Sequence, residues 1–169
     1  MKEILVLNPE NASEDEVKTY RIRNAARAIV TDDVGLIALL HVSNHGYYKL
    51  PGGGFEEGEG TEAALRRECL EEIGCEIEVL NEIGSVVEHR KFKSLKQISY
   101  CYTARVKGEK GVSNFTEHEM KGGFALVWVT YDEALRFMAE SSKTAKNIEG
   151  EKYIVPRDTR VLKEGKSLL

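Results

Sequence analysis

The chain has 169 residues, 41% hydrophobic and 31% charged, and its 24 Lys and Arg against 28 Asp and Glu leave a formal charge of -4 at pH 7. That balance fits one ordinary globular domain and excludes collagenous, coiled-coil and disordered classes. The mild acidity also gives no field to hold a nucleic-acid polymer, so an anionic ligand needs positive charge from another source.

Lys2–Leu7 reads as a short strand heading an N-terminal extension over residues 1–19. The chain turns acidic right after Leu7, too soon for a secretory leader, and no apolar run (Leu36–Leu40 is among the longest) approaches a membrane span, so a cytoplasmic location is expected. Tyr20–Val30 follows as a longer strand, and Thr31-Asp32-Asp33 as a hairpin turn into Gly35–Val42. A polar loop, Ser43–Gly46, leads to Tyr47–Leu50, after which Pro51-Gly52-Gly53-Gly54 breaks any regular ladder. From Thr61, read as the N-cap, the run EAALRRECLEEI predicts a helix that stops at Gly74. Strands are expected over Cys75–Leu80, Ile83–His89, Gln97–Val106 and Phe124–Val129, then helices near Asp132–Glu140 and Pro156–Lys163. Neither a repeat nor a linker divides the chain. One domain over residues 1–169 is therefore expected, of α+β class with mainly antiparallel strands. Cys69, Cys75 and Cys101 form no CxxC pair and are odd in number, which predicts reduced, buried thiols.

Between Gly53 and Gly74 lie seven glutamates, at 56, 57, 59, 62, 68, 71 and 72, against Arg66 and Arg67. At about 100° per residue Glu68, Glu71 and Glu72 share one helix face, beside an apolar stripe of Leu65, Cys69 and Ile73. Like charges at i,i+4 destabilise a helix by roughly 0.2–0.5 kcal/mol per pair, and a hard divalent cation reverses that sign. Charge density alone favours a solvated face, balanced by Glu62 with Arg66 and Arg67 with Glu71.

Spacing separates these readings. GGFEEGEGTEAALRRECLEEIGC, residues 53–75, has a Gly, five residues, Glu, seven residues, Arg-Glu, an apolar residue, any residue, Glu-Glu, any residue, Gly and an apolar residue. It closely resembles the box of the Nudix hydrolase family, the one mild departure being cysteine at both apolar positions, Cys69 and Cys75. The resemblance implies a Nudix-like αβα sandwich with a mixed/antiparallel β-sheet core, and hydrolysis of a nucleoside diphosphate linked to another group. It further implies that Glu68, Glu71 and Glu72 bind Mg²⁺ or Mn²⁺, that the Gly53 carbonyl joins them, and that Arg67 with Glu59 braces the loop against the helix. Arg66 is expected in solvent. Family members differ in their general base: Glu68 in the box, or Glu117 and Glu119 in the stretch before Trp128, are the candidates here, Glu119 preferred over Glu117. For the latter pair an ordinary polar loop is the competing reading.

Arg23 and Arg27, which alternate-residue parity sets on one face of the long strand, and Glu56 are candidate substrate contacts. His89, Arg90, Lys91 and Lys93 form a second basic cluster, and exposed strand charge is the favoured reading both of this cluster and of Arg23 with Arg27. Tyr47, Tyr48, Phe55, Tyr100 and Tyr102 are candidates to stack a base or simply to pack the core. By elimination among the marks of Nudix subfamilies, a nucleoside triphosphate or modified nucleotide cleaved to monophosphate and pyrophosphate leads. The alternative is a nucleotide-sensing module that binds without cleaving. The partner expected is a nucleotide or other diphosphate small molecule, with no nucleic-acid polymer and no membrane, and a homodimer is kept open.

Overall fold

The computed structural model describes residues 1–169. Strand β1 (Glu3–Leu7) is followed by a short helix, α1 (Glu14–Lys18), and by β2 (Arg21–Thr31), β3 (Ile37–Val42) and β4 (Tyr47–Lys49). Helix α2 (Thr61–Ile73) precedes the long hairpin of β5 (Glu76–Arg90) and β6 (Leu95–Lys107). The rest is α3 (Glu117–Gly122), β7 (Phe124–Val129), α4 (Tyr131–Thr144) and α5 (Val155–Gly165), the last entered through a π-helical turn at Gly150–Ile154.

The strands make one mixed sheet in the order β1-β5-β6-β2-β3-β4, with β7 pairing β3 along its whole length. The β5–β6 and β3–β4 pairs are antiparallel, whereas β1 runs parallel to β5 and β2 parallel to β6. Residues 25–30 of β2, Ala-Ala-Arg-Ala-Ile-Val, are all buried, because this central strand is covered on both faces. Alternation sends Ala26, Ala28 and Val30 to α2, where they pack with Leu65, Cys69 and Ile73. Ile29 on the opposite parity joins Met138 of α4 and Val161 and Leu162 of α5. Two cores on the two faces of one sheet make an αβα sandwich, the layering that the family resemblance implied.

Four local expectations are corrected. Residues 1–19 are no mere extension: Ile4, Leu5 and Leu7 pack on the α4–α5 core, and α1 is capped by reciprocal Ser13 and Glu16 bonds. The two strands expected between Cys75 and His89 are one strand, whose register slips at Val79/Asn81 and Glu82/Gly84 scramble its alternation. The N-cap of α2 is Gly60, and Thr61 is the first helical residue. The polar loop expected at Glu117 and Glu119 is helix α3, again closed by a capping box, Thr116 with Glu119. The C-terminal stop of α2 is as read, with Gly74 left-handed at φ 64°. All three cysteines are free and buried, and burial pushes the Cys101 thiol up to about 12.

Candidate active site

The glycine run from 52 to 54 lies alongside β2 as an irregular strand. Ala28 donates to the Pro51 carbonyl at 3.2 Å, Ala26 to the Gly53 carbonyl at 2.9 Å, and Phe55 to the Asn24 carbonyl at 3.1 Å. Gly52 has φ 126°, and a Cβ there would strike the backbone of Ala26 and Arg27. At Gly53 a Cβ would overlap the carboxylate of Glu68. Small residues are thus what lets this loop fit between the central strand and helix α2.

Helix α2 presents its acids to the loop at different depths. Glu72 is fully buried; it accepts the Gly52 N–H at 2.7 Å and the Lys49 ammonium at 2.6 Å. Burial pushes its carboxyl above the usual carboxylate range, and Lys49 and the Gly52 N–H only partly offset that. Glu68 is mostly covered, and Glu71 is the most open of the three. Arg67 spreads its guanidinium across this group. Its Nε and Nη2 donate to the two oxygens of Glu59 at 2.8 and 3.0 Å, Nη2 also reaches the Gly54 carbonyl at 2.9 Å, and Nη1 lies 3.1 Å from Glu68 and 3.2 Å from Glu71. That pairing, with the Glu56 N–H, holds the Glu59 carboxyl down to about 2. Arg66 is half exposed, pairing with Glu62 at 2.6 Å and donating to the Ile77 carbonyl.

A cavity of about 280 Å³ opens between the glycine loop, α2, α3 and α5. Glu68, Glu72 and Gly53 line it, as do Arg23 and Arg27 of β2. Of the two glutamates on α3, Glu119 lines the cavity and also accepts the Thr116 N–H at 2.7 Å, while Glu117 is exposed beside Lys121. Glu71 turns to Arg67 and stands outside the cavity lining; Glu56 is also outside it, exposed, 3.9 Å from Arg67. Of the candidate stacking aromatics only Tyr47 lines the cavity; Tyr48 stacks between His41 and Phe137, and Phe55 on Tyr100.

Sequence reasoning missed Lys49, Arg157 and Glu149, and placed Arg90 wrongly. Arg90 and Arg27 are buried and line the cavity, contrary to their reading as exposed strand charge; Arg90 shares the strand parity of the buried Val86 and Glu88, and Glu88 pairs with it. Arg157 and Asp158 are fully buried on α5. Their i,i+4 spacing from Val161 and Leu162 was the available signal, since it sets them on the apolar stripe.

The resemblance implied a divalent metal on these acids. In this conformation no set of three or more carboxylate, imidazole or thiolate side chains converges in a way that would hold an ion. Glu72 is taken up by Lys49, and Glu71 by Arg67. The donor chemistry nonetheless fits a hard cation: Glu68 and Glu72 offer carboxylate oxygens into one cavity beside the Gly53 backbone, with no soft ligand among them.

The sequence profile described as NUDIX domain matches residues 21–148. The chain belongs to this family. A MutT-like protein of Streptomyces ambofaciens is 32% identical over 117 residues, covering 69% of each chain. In fold the NUDIX chain is similar to a NUDIX hydrolase from Nitrosomonas europaea, with TM-score 0.65, 16% identity and coverage of 87% of this chain and 90% of that one. It is also similar to the MutT protein of Methanosarcina mazei Go1, with TM-score 0.60, 17% identity and coverage of 88% and 96%. The NUDIX segment ends before α5, so Arg157 lies beyond it. No helix of this NUDIX chain is long and apolar enough to cross a membrane.

Proposed function

We propose that the chain, as one domain over residues 1–169, hydrolyses the diphosphate linkage of a nucleoside diphosphate derivative. The leading substrate is a nucleoside triphosphate, normal or modified, cleaved to monophosphate and pyrophosphate. The observation that carries this reading is the meeting of Glu68, Glu72 and the Gly53 backbone in one cavity walled by Arg23 and Arg27. The family's acid-anhydride chemistry supplies the reaction class.

In this reading Glu68, Glu71 and Glu72 with the Gly53 carbonyl would hold Mg²⁺ or Mn²⁺, which would supply neutralising charge to the diphosphate and Lewis acidity to the attacking water. Arg67 positions Glu68 and Glu71, and Glu59 positions Arg67. Arg27 and Arg23 face the phosphate oxygens, whose charge they complement. Glu119 accepts the proton of the attacking water as its oxygen bonds to phosphorus and the bridging P–O bond breaks toward the leaving phosphate. Glu117 and Glu56 lie exposed outside the cavity lining, and the reading gives them no step in the reaction. A small-molecule anhydride in the cytoplasm is the expected encounter.

The purified chain with Mg²⁺ and a panel of nucleoside triphosphates and nucleoside diphosphate sugars tests the assignment. Chromatography of products with coupled pyrophosphatase reports cleavage. Monophosphate and pyrophosphate from at least one triphosphate is the expected result. No turnover on any diphosphate overturns it, and tight nucleotide binding without cleavage would give the sensing module in its place.

A further inference from the structure

The wall of the cavity opposite the acids carries more positive charge than the protein itself compensates. Arg157 pairs with Asp158 at 2.7 Å and, at 3.5 Å, with Glu88; Arg90 pairs with Glu88 at 3.1 Å and, at 3.7 Å, with Glu149. Glu149 is further shared with Lys93. Arg27 is different. It is 6% exposed and makes no ion pair; its Nη1 donates to the Gly52 carbonyl at 2.6 Å and its Nε has no partner. Arg157 is wholly buried, and its Nη2 is likewise unpartnered, as is Nε of Arg90. Arg23 has only Gln97, whose Oε1 accepts at 2.6 Å.

A guanidinium buried without a carboxylate is unfavourable, since the desolvation of the charge goes unanswered. Burial, with Arg157 as a like-charged neighbour, draws the Arg27 guanidinium down to about 10. Four arginines converging from β2, β5 and α5 therefore form a preorganised receptor whose counter-charge is incomplete. Apolar residues are few in this cavity, namely Tyr47, Phe124 and Ile154, which leaves little face for a base to stack on.

We propose that Arg27, with Arg23 and Arg157, forms an anion subsite that receives a terminal, unesterified phosphate of the substrate. The buried end of the substrate is then a phosphate, and its nucleoside or other organic end lies toward solvent. This rests on the hydrolase reading for where the scissile bond sits. Anion binding itself does not need turnover, so the two readings fail separately. Arg157 belongs to α5, outside the segment matched by the family.

Thermal unfolding of the full chain in EDTA, with inorganic phosphate against chloride at equal ionic strength, reads the subsite without metal or catalysis. Phosphate at well above its Kd is expected to raise Tm by several degrees. Arg27→Met should lose that shift, with an unliganded Tm equal to or above that of the parent chain, because a desolvated charge has been removed. A phosphate effect no larger than that of chloride, or a shift that survives Arg27→Met, overturns the proposal. Should Arg27→Met not fold, Arg23→Gln at the half-buried position takes its place; a reduced phosphate shift supports the subsite and an unchanged one refutes it. With Mg²⁺ present, Arg27→Met should lower kcat/KM for a nucleoside triphosphate at least about 10-fold more than for a nucleoside diphosphate sugar with a neutral end. Equal losses on both would overturn the assignment to a terminal phosphate.

Discussion

Glu72 is where side-chain chemistry and position pull hardest against each other. A carboxylate at full burial is tolerated because Lys49 and the Gly52 N–H bind it, yet its ionised form remains disfavoured. Glu72→Gln keeps the shape of the side chain and an oxygen for one of the two donors while removing the charge, so the variant is expected to fold with some loss of stability. Its turnover should fall by about 10- to 100-fold as the metal loses a ligand. Glu72→Ala removes the oxygen as well, leaves Lys49 buried alone, and is expected to lose about 3–5 kcal/mol of stability. Steady-state kinetics with Mg²⁺ and urea unfolding separate these effects. Unchanged turnover in Glu72→Gln would show the group to be only Lys49's partner. That partnership was invisible in the sequence, because a lysine on a three-residue strand carries no mark of facing a helix 23 residues further on.

At the scale of elements, the turn between β2 and β3 was legible and its strength is testable. The two strands share a single register pair, Thr31 with Ile37. Asp32 does much of the joining: it accepts N–H groups of Val34 at 3.1 Å and Leu36 at 2.7 Å, and Lys110 reaches it at 2.6 Å. Burial raises its proton affinity, but the Lys110 and backbone bonds outweigh burial and leave it below the ordinary 3.8. A depressed carboxylate contributes stability that is complete above its unfolded-state value and fades as pH falls from about 4 through the lower folded-state value. Asp32→Asn should therefore be less stable than the parent chain at pH 7, by about 1–3 kcal/mol, with the gap narrowing below pH 4. A gap that stayed constant in urea titrations from pH 6 to 3 would refute this. Elements of this length mark the limit of sequence reading. The 13 residues of α2 announced themselves by composition and by Gly74, whereas α1 and α3, at 5 and 6 residues, are too short for periodicity. Their capping boxes, Ser13 with Glu16 and Thr116 with Glu119, were the readable trace.

For the whole molecule, what was legible depended on how the site is distributed along the chain. The box glutamates, Arg67 and Glu59 lie within one stretch of 23 residues, so spacing alone brought them together. The arginine wall is assembled from β2, β5 and α5, and only the sandwich makes Arg27, Arg90 and Arg157 neighbours. The acids and the arginines face each other across one cavity, so stability and ligand binding are coupled. Without a divalent ion, Glu68 and Glu72 repel each other beside the core, and the pairs that Lys49 makes with Glu72 and Arg67 with Glu68 only partly offset the burial of Glu72. An ion bound to the folded chain alone stabilises it by RT ln(1 + [L]/Kd), about 2.7 kcal/mol at 100 times Kd. For a chain of this size that corresponds to a rise in Tm of about 5–10 °C. Addition of Mg²⁺ or Mn²⁺ should produce this rise, EDTA should reverse it, and Glu72→Gln should lose most of it. Monovalent salt at matched ionic strength screens the same repulsion without bridging the acids, so it should give far less. Equal shifts from Mg²⁺ and from NaCl would mean that screening suffices, and that these carboxylates bind no ion between them.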